Sequence, residues 1–588
     1  MRPLIRLGMD LDFPGHTVSL EPELLSRHLH LIGATGSGKT VAIHTLTRPL
    51  MMATGKHMCS LFVFDLMGNL SFDLLRWIAS TKCPAHVRER LVYLEPANND
   101  YVVPFNPLRL VDAESRYYHV SRAVDLILRA WAAQDLSMQP RLMQWSYKAV
   151  SAMATLKLPL AMTRYLLHPG TPEHNRLLEL IPEETRYQWT EILAAKGGQE
   201  AVRILESTRN RFEPLYEAPQ ARRMFATVES HFDVERFIRE RRIVIINLAK
   251  LGALPKQLGS TIGALMLNEV FETVFNMATV LGKKSVEPTY CLMDEFQQFC
   301  ASPDIEDALP TCRQMGLRLL LAHQSFSQLK KGDIDLTNMI FQARNRLMFA
   351  NSAEDADLIA NELATLTFNK MAIKDERIVR RQLIAGYRTE WLKSRGTSYT
   401  DADSTIDQRS VGYSRSESEK RNRLGLKTGK DQSQSRTESD VSGGTRAKSV
   451  SNSESESQQL VPIHEEVEDS NITYLSFDEH RLDWMKTIRQ LKTGHAFGKF
   501  VDDDRLYRLL IDHRPVQMTS ALEAAYQELL QRNYEQEFFI SKERADQLAE
   551  QERLKLLAPQ QFELPDVGSV SSAESSPFRT RKPNSETS

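Results

Sequence analysis

The stretch Gly33-Ala34-Thr35-Gly36-Ser37-Gly38-Lys39-Thr40 constrains the fold of this chain more than any other. It fits G-x-x-x-x-G-K-[ST] at every required position. Leu29-His30-Leu31-Ile32 before it reads as a short buried strand, and Val41-Ala42-Ile43-His44-Thr45-Leu46 after it as the first turns of a helix. A glycine turn could match the string by chance, but the flanking strand and helix argue against that. Glycines let backbone N–H groups close on phosphate oxygens, and the helix end adds partial positive charge. Lys39 would reach the β/γ-phosphates and the Thr40 hydroxyl would ligate Mg2+. The implied ligand is a nucleoside triphosphate, ATP with Mg2+, cradled by Gly33 through Thr40.

A chain of 588 residues exceeds what one core organises, so two or three units are expected. The net charge of −2 gives no global pull towards nucleic acid or membrane, so any DNA contact must be local. The five cysteines, Cys59, Cys83, Cys291, Cys300 and Cys312, have no C-x-x-C pair and no metal-ligand spacing. They read as buried thiols in a reducing compartment. The N-terminus lacks a signal-peptide apolar region, and no apolar run reaches roughly 18 residues. No membrane insertion and a cytoplasmic location are expected.

In chain order, residues 1–27 suggest a small β element around the turn Phe13-Pro14-Gly15. Residues 28–111 begin an α/β core, with apolar runs at Ser60-Leu61-Phe62-Val63-Phe64-Asp65 and Leu91-Val92-Tyr93-Leu94, and Pro49 should end or kink the helix after the glycine loop. From 112 to 232 the spacing turns helical, as at Val124, Ile127, Leu128 and Trp131, predicting an all-α insertion. Strands return within 233–390: Ile243-Val244-Ile245-Ile246-Asn247-Leu248, Tyr290-Cys291-Leu292-Met293-Asp294-Glu295, Leu317 to Gln324, and Arg346-Leu347-Met348-Phe349-Ala350. Strands alternating with helices predict an α/β fold with a mostly parallel sheet covered on both faces. Residues 391–470 are dominated by Ser, Thr, Gln and charged residues and are expected to be disordered, because they cannot bury enough apolar area to offset ordering. Residues 471–513 return to the core, 514–566 form C-terminal helices, and 567–588 are a disordered Ser/Pro-rich tail.

Asp294-Glu295 ends an apolar strand where a nucleotide hydrolase needs its second acidic site. Asp294 would hold the magnesium, and Glu295 would polarise the attacking water. The same pair could equally cap a helix. Gln324 follows another apolar strand; it could sense the γ-phosphate or be an ordinary polar strand end. Arg313 lies on the intervening helix, where a lone arginine is usually a solvated face.

The motifs together resemble the HerA/FtsK superfamily of ring ATPases, within it the TraD/TraG-like conjugative coupling proteins. The pieces follow the family's order: Arg27-His28 with the P-loop, Phe64-Asp65-Leu66-Met67-Gly68-Asn69, Phe105-Asn106-Pro107-Leu108, Ser207-Thr208-Arg209-Asn210-Arg211-Phe212, and Ile245-Ile246-Asn247-Leu248. Asp294-Glu295-Phe296, Arg313-Gln314-Met315-Gly316-Leu317 and Ala322-His323-Gln324-Ser325 complete the set. The resemblance spans roughly residues 1–370 and 471–513. It implies a RecA-like motor that assembles as a homo-oligomer, a hexamer, and moves DNA through a central channel. Arg313 matches the family's arginine that reaches a neighbour's ATP, and Gln324 its sensor glutamine. Two departures stand out: coupling proteins usually carry N-terminal transmembrane helices, and HerA a larger N-terminal β-barrel. An ATPase powering protein secretion, with a secretion-machinery partner, and an ATP-gated scaffold ring that recruits an effector are the competing expectations.

Overall fold

The computed structural model describes residues 4–109, 114–131, 139–194, 199–249, 254–282, 287–299, 308–331, 334–404, 412–421, 427–437 and 445–558. The tail expected at 567–588 and Cys300 lie outside them. The chain divides into two units, one of residues 1–366 with 481–588, the other of residues 367–480.

The first unit is built on one eleven-stranded sheet. Its strands begin with β1 (Ile5–Asp10), β2 (Thr17–Leu20), β3 (Leu29–Ile32), β4 (Ser60–Asp65) and β5 (Leu91–Leu94). The short β6 (Tyr101–Val102) pairs elsewhere, with β19 (Ile540–Ser541). The sheet continues with β7 (Ile243–Asn247), β8 (Thr289–Asp294) and β9 (Leu317–His323). A two-residue hairpin, β10 (Lys330–Lys331) with β11 (Ile334–Asp335), precedes β12 (Asn345–Met348). Two late strands, β17 (His495–Lys499) and β18 (Leu506–Ile511), return to the sheet from far along the chain.

The order is β2-β1-β18-β17-β12-β3-β9-β8-β4-β7-β5. From β12 to β5 every pairing is parallel. β3, β4, β5 and β7 are buried at every residue, because helices cover both faces of a parallel sheet. From β12 outward through β17, β18, β1 and β2 the pairing is antiparallel. The described part of residues 1–27, expected as a small β element, is therefore the edge of the main sheet. A two-strand hairpin is marginal alone, and this one gains its third strand from β18. The α/β fold with a mostly parallel sheet is as expected.

The helix after β3, α1 (Lys39–Met52), runs through Pro49 and ends three residues later, so the expected break falls at Met52. Between β6 and β7 lie the helices of the insertion, among them Arg116–Trp131, Pro140–Thr155 and Gln199–Glu217. Trp145 and Trp189 pack edge to face at 5.0 Å within it. The longest helix, Lys256–Leu281, is the one among the described residues long and apolar enough to cross a membrane, and 61% of its most apolar window is buried inside the fold. Helices Ser520–Tyr534 and Lys542–Leu557 lie where C-terminal helices were expected. The four described cysteines are buried and none of them is in a disulfide.

In the second unit the described residues of 391–470 are strand where disorder was expected, and 405–411, 422–426 and 438–444 lie outside the described residues. The unit is an antiparallel ribbon of β13 (Ile373–Ser404), β14 (Gly412–Arg421), β15 (Lys427–Thr437) and β16 (Thr445–Tyr474), in the order β13-β16-β15-β14. The strand begins inside the segment assigned to the second half of the core, which ends instead at Leu366. Composition misled because it measures burial, whereas the ribbon is held by its backbone ladder and by cross-strand polar pairs. Arg395 bonds Glu454 at 2.5 Å, Arg380 bonds Glu468 at 3.1 Å, and the hydroxyls of Ser394 and Ser455 lie 2.9 Å apart.

Candidate nucleotide site

The parallel register brings the carboxyl ends of the central strands level, where open α/β sheets place their ligands. Ile32 on β3 lies opposite His323 on β9, Asp294 on β8 opposite Ala322, and Asp65 on β4 opposite Asn247 on β7. Sequence-distant residues thus meet in one crevice.

At its centre is the glycine loop. Gly36 and Gly38 have φ of 77° and 115°, a left-handed region costly for other residues. A Cβ at Gly38 would also come within 3.0 Å of the Gly494 backbone. The loop is pinned from outside: Ala34 N–H donates to the Ala350 carbonyl at 2.8 Å, and Gly494 N–H to the Ser37 carbonyl at 2.9 Å. Among the described residues, the N–H groups of Gly36, Gly38, Lys39 and Thr40 have no backbone acceptor. A nest of free donors at the start of a fourteen-residue helix fits a polyphosphate.

Lys39 is buried, and its ammonium donates to the Gly33 carbonyl at 2.5 Å and lies 4.0 Å from Glu295 Oε1. Burial lowers its pKa, opposed by the nearby charges of Glu295 and Asp294. Glu295 has φ 56° and ψ 49°, a left-handed conformation that is strained for a side chain of its size. Its carboxylate is held on both oxygens: Gln324 Nε2 donates to Oε1 at 2.7 Å and Gln297 Nε2 to Oε2 at 2.8 Å. Thr35 in turn donates its hydroxyl to Gln324 Oε1 at 2.9 Å. Lys39, Thr35, Glu295 and Gln324 therefore form one connected cluster.

Asp294 has its pKa raised to about 7, by burial first and then by the negative charges of Asp65 and Glu295. Asp65 is fully buried and accepts N–H bonds from Met67, Gly68 and Ser71 at 2.9, 2.8 and 2.7 Å. No cluster of three or more His, Cys, Asp or Glu ligands lies among the described residues, and Asp65 is occupied by backbone N–H groups. The crowded charge on Asp294 is nonetheless one that a divalent cation would relieve, so Asp294 with the Thr40 hydroxyl fits Mg2+.

Arg313 is not part of this cluster. It sits exposed on the helix Ala308–Gln314, and its side chain has no hydrogen bond or ion pair among the described residues. That helix is tied to the sheet by His28, whose Nε2 donates to the Leu309 carbonyl at 2.7 Å while Nδ1 accepts from Leu319 N–H at 3.0 Å. Below the loop, His30 and His323 stack and bond through Nε2 atoms 2.7 Å apart. His323 Nδ1 faces the Ser325 carbonyl at 3.1 Å, so Nδ1 carries its proton, and His30 Nε2–H donates.

Sequence reasoning left Gln297, His30, His323 and Asp65 without a role in the site. Only Asp65 carried a signal, a carboxylate ending an apolar strand much as Asp294 does.

Residues 5–270 match the family model for the central domain of helicase HerA, and residues 196–382 that for conjugative DNA transfer in type IV secretory systems. No curated protein matches. Among solved structures, the bacterial conjugative coupling protein TrwBdeltaN70 is 14% identical, with 86% of this chain and 89% of that one covered and a TM-score of 0.46. Plasmid coupling protein TrwB with ADP and Mg2+ is 13% identical, with 86% and 89% covered and a TM-score of 0.46. The same protein with the ATP analogue ADPNP is 14% identical, with 85% and 88% covered and a TM-score of 0.45. The chain is thus similar to HerA-like ATPases and to conjugative coupling proteins, as its motifs suggest.

Proposed function

We propose that this protein is an ATP-hydrolysing motor that translocates DNA as a homo-oligomeric ring, most simply a hexamer. The observation that carries the reading is the cluster at the sheet's carboxyl edge, where the glycine loop, a buried lysine, two adjacent carboxylates and a glutamine converge. The free N–H groups of the loop and Lys39 bind and orient the β- and γ-phosphates. Thr40 and Asp294 would hold Mg2+, which when bound neutralises charge on the phosphates. Glu295 accepts a proton from the attacking water, and Gln324, bonded to both Glu295 and Thr35, links the base to the phosphate loop. Arg313, exposed on its own subunit, supplies positive charge to the site of a neighbour.

A cleft of about 1120 Å³ runs along α1 from Thr40 and Val41 past His44 and Arg48 to Trp77, and it gives the nucleoside room beside the phosphates. The motif resemblance and the two family matches support DNA as the cargo. Measuring ATP turnover alone, with single-stranded DNA and with double-stranded DNA tests the reading. Stimulation by either DNA is expected. Turnover unmoved by both would redirect the cargo towards protein.

A further inference from the structure

Beyond the stretch that β15 covers, the ribbon of residues 367–480 is β13 and β16 alone among the described residues, and these two strands carry opposite charge. Over residues 377–389, β13 bears Arg377, Arg380, Arg381 and Arg388 and no acid. The stretch of β16 paired with it, 460–471, bears Glu465, Glu466, Glu468 and Asp469 and no Lys or Arg. All eight side chains are exposed. On β13 itself Arg377 pairs with Asp375 at 3.0 Å and Arg388 with Glu390 at 2.8 Å, and Arg380 bridges Glu468 at 3.1 Å, while Arg381, Glu465 and Glu466 enter no ion pair among the described residues.

Among the described residues both strands are also open at their outer edges here. β13 pairs with β16 alone, and β15 covers β16 only from Val450 to Ser457. Each edge therefore presents a row of backbone donors and acceptors. Side chains directly opposite in the ladder share a face, so Ile384, Tyr387, Trp391 and Leu460 lie on one side. Tyr387 is 61% exposed and Leu460 63%. A two-stranded ribbon with apolar groups in water and two open edges is marginal alone and templates further pairing.

We propose that ribbons of neighbouring copies pair edge to edge, the basic β13 of one copy against the acidic β16 of the next. The charges choose the partner. Pairing β16 with a second β16 would set acids against acids, and β13 with a second β13 would bring together two strands whose Lys374 and four arginines outnumber Asp375, Glu376 and Glu390. A nucleic acid following the arginines would run about 4.8 Å from the acidic strand, the spacing of adjacent strands. The head-to-tail arrangement alone satisfies both edges. It repeats the antiparallel pairing already present within each ribbon, and by symmetry it closes into a ring or continues as a filament. The pairing rests on the ribbon itself and stands whether or not the nucleotide reading does.

The test uses full-length chains carrying a single Arg381→Cys or a single Glu466→Cys substitution, mixed without nucleotide and treated with a short bismaleimide. Links between the two kinds of chain are expected, with links between like chains at background. Links confined to like chains would mean two-fold pairing and overturn the proposal, as would no link at all. Adding Arg377→Glu, Arg380→Glu and Arg388→Glu to the first chain should cut the mixed link by about tenfold or more. Adding Glu465→Lys, Glu468→Lys and Asp469→Lys to the second should then restore it. A yield indifferent to both charge changes would also overturn the proposal.

Discussion

Glu295, the base in the proposed function, has surroundings that make separable predictions. Lys39→Ala removes the one ammonium facing the loop and should abolish tight ATP binding, measured with a fluorescent analogue. Glu295→Gln keeps the shape and the phosphate contacts but removes the base, so binding should persist while turnover falls by about 10²–10⁴. Turnover at the parent rate would remove Glu295 from the base role. Gln297 bridges Glu295 Oε2 and, at 3.0 Å, Gln328 Oε1. Gln297→Met preserves volume and deletes both bonds, so kcat should fall by about tenfold with KM for ATP unchanged, as for a lost hydrogen bond to a charged group. A rise in KM at constant kcat would make Gln297 a binding residue instead. Lys39, Thr40, Asp294 and Glu295 were legible in sequence because strand ends and glycine spacing place them. Gln297 was not, since an amide finds its partner only through the turn that aims it.

At the scale of elements, His28 joins β3 to the helix that carries Arg313. Its φ of 59° is left-handed, and burial drives its pKa down to about 4, so the fold keeps it neutral. Above pH 6.5 the ring is neutral in both folded and unfolded chains and its contribution to stability is complete. As pH falls from there towards 4, the unfolded chain takes up a proton that the fold refuses, and stability is lost. Between pH 8 and pH 5 that loss is about 2 kcal/mol. His323 is shifted in the same direction, also to about 4, and adds its own share. Asn tolerates the left-handed conformation, so His28→Asn should shrink the drop between pH 8 and pH 5 by about 2 kcal/mol in urea denaturation. An unchanged drop would mean that the folded ring titrates normally. The central strands were legible because burial on both faces leaves an unbroken apolar run. The antiparallel wing was not, because β1 meets β18 across some five hundred residues of chain. The ribbon was hidden for the opposite reason, with polar groups on both faces and no periodicity that a core would impose.

For the whole molecule the decisive question is whether one subunit completes the site of another. Each chain brings its glycine loop, Glu295 and Gln324 into one cluster but holds Arg313 apart from it, exposed on a helix anchored by His28. A head-to-tail ring gives every subunit one donor face and one acceptor face, so an exposed arginine on the first can meet the phosphates held by the second. The guanidinium would stabilise charge developing on the γ-phosphate, a contribution of about 10³–10⁵ in rate. Arg313→Ala should accordingly bind ATP normally and hydrolyse it poorly. Mixed with Lys39→Ala subunits it should regain partial turnover, because an intact loop on one chain then faces an intact arginine on the next. Subunit exchange is checked first, by native mass spectrometry of the mixture. If mixed rings form and remain as inactive as either variant alone, Arg313 acts within its own chain or is simply a charged residue on a solvated helix.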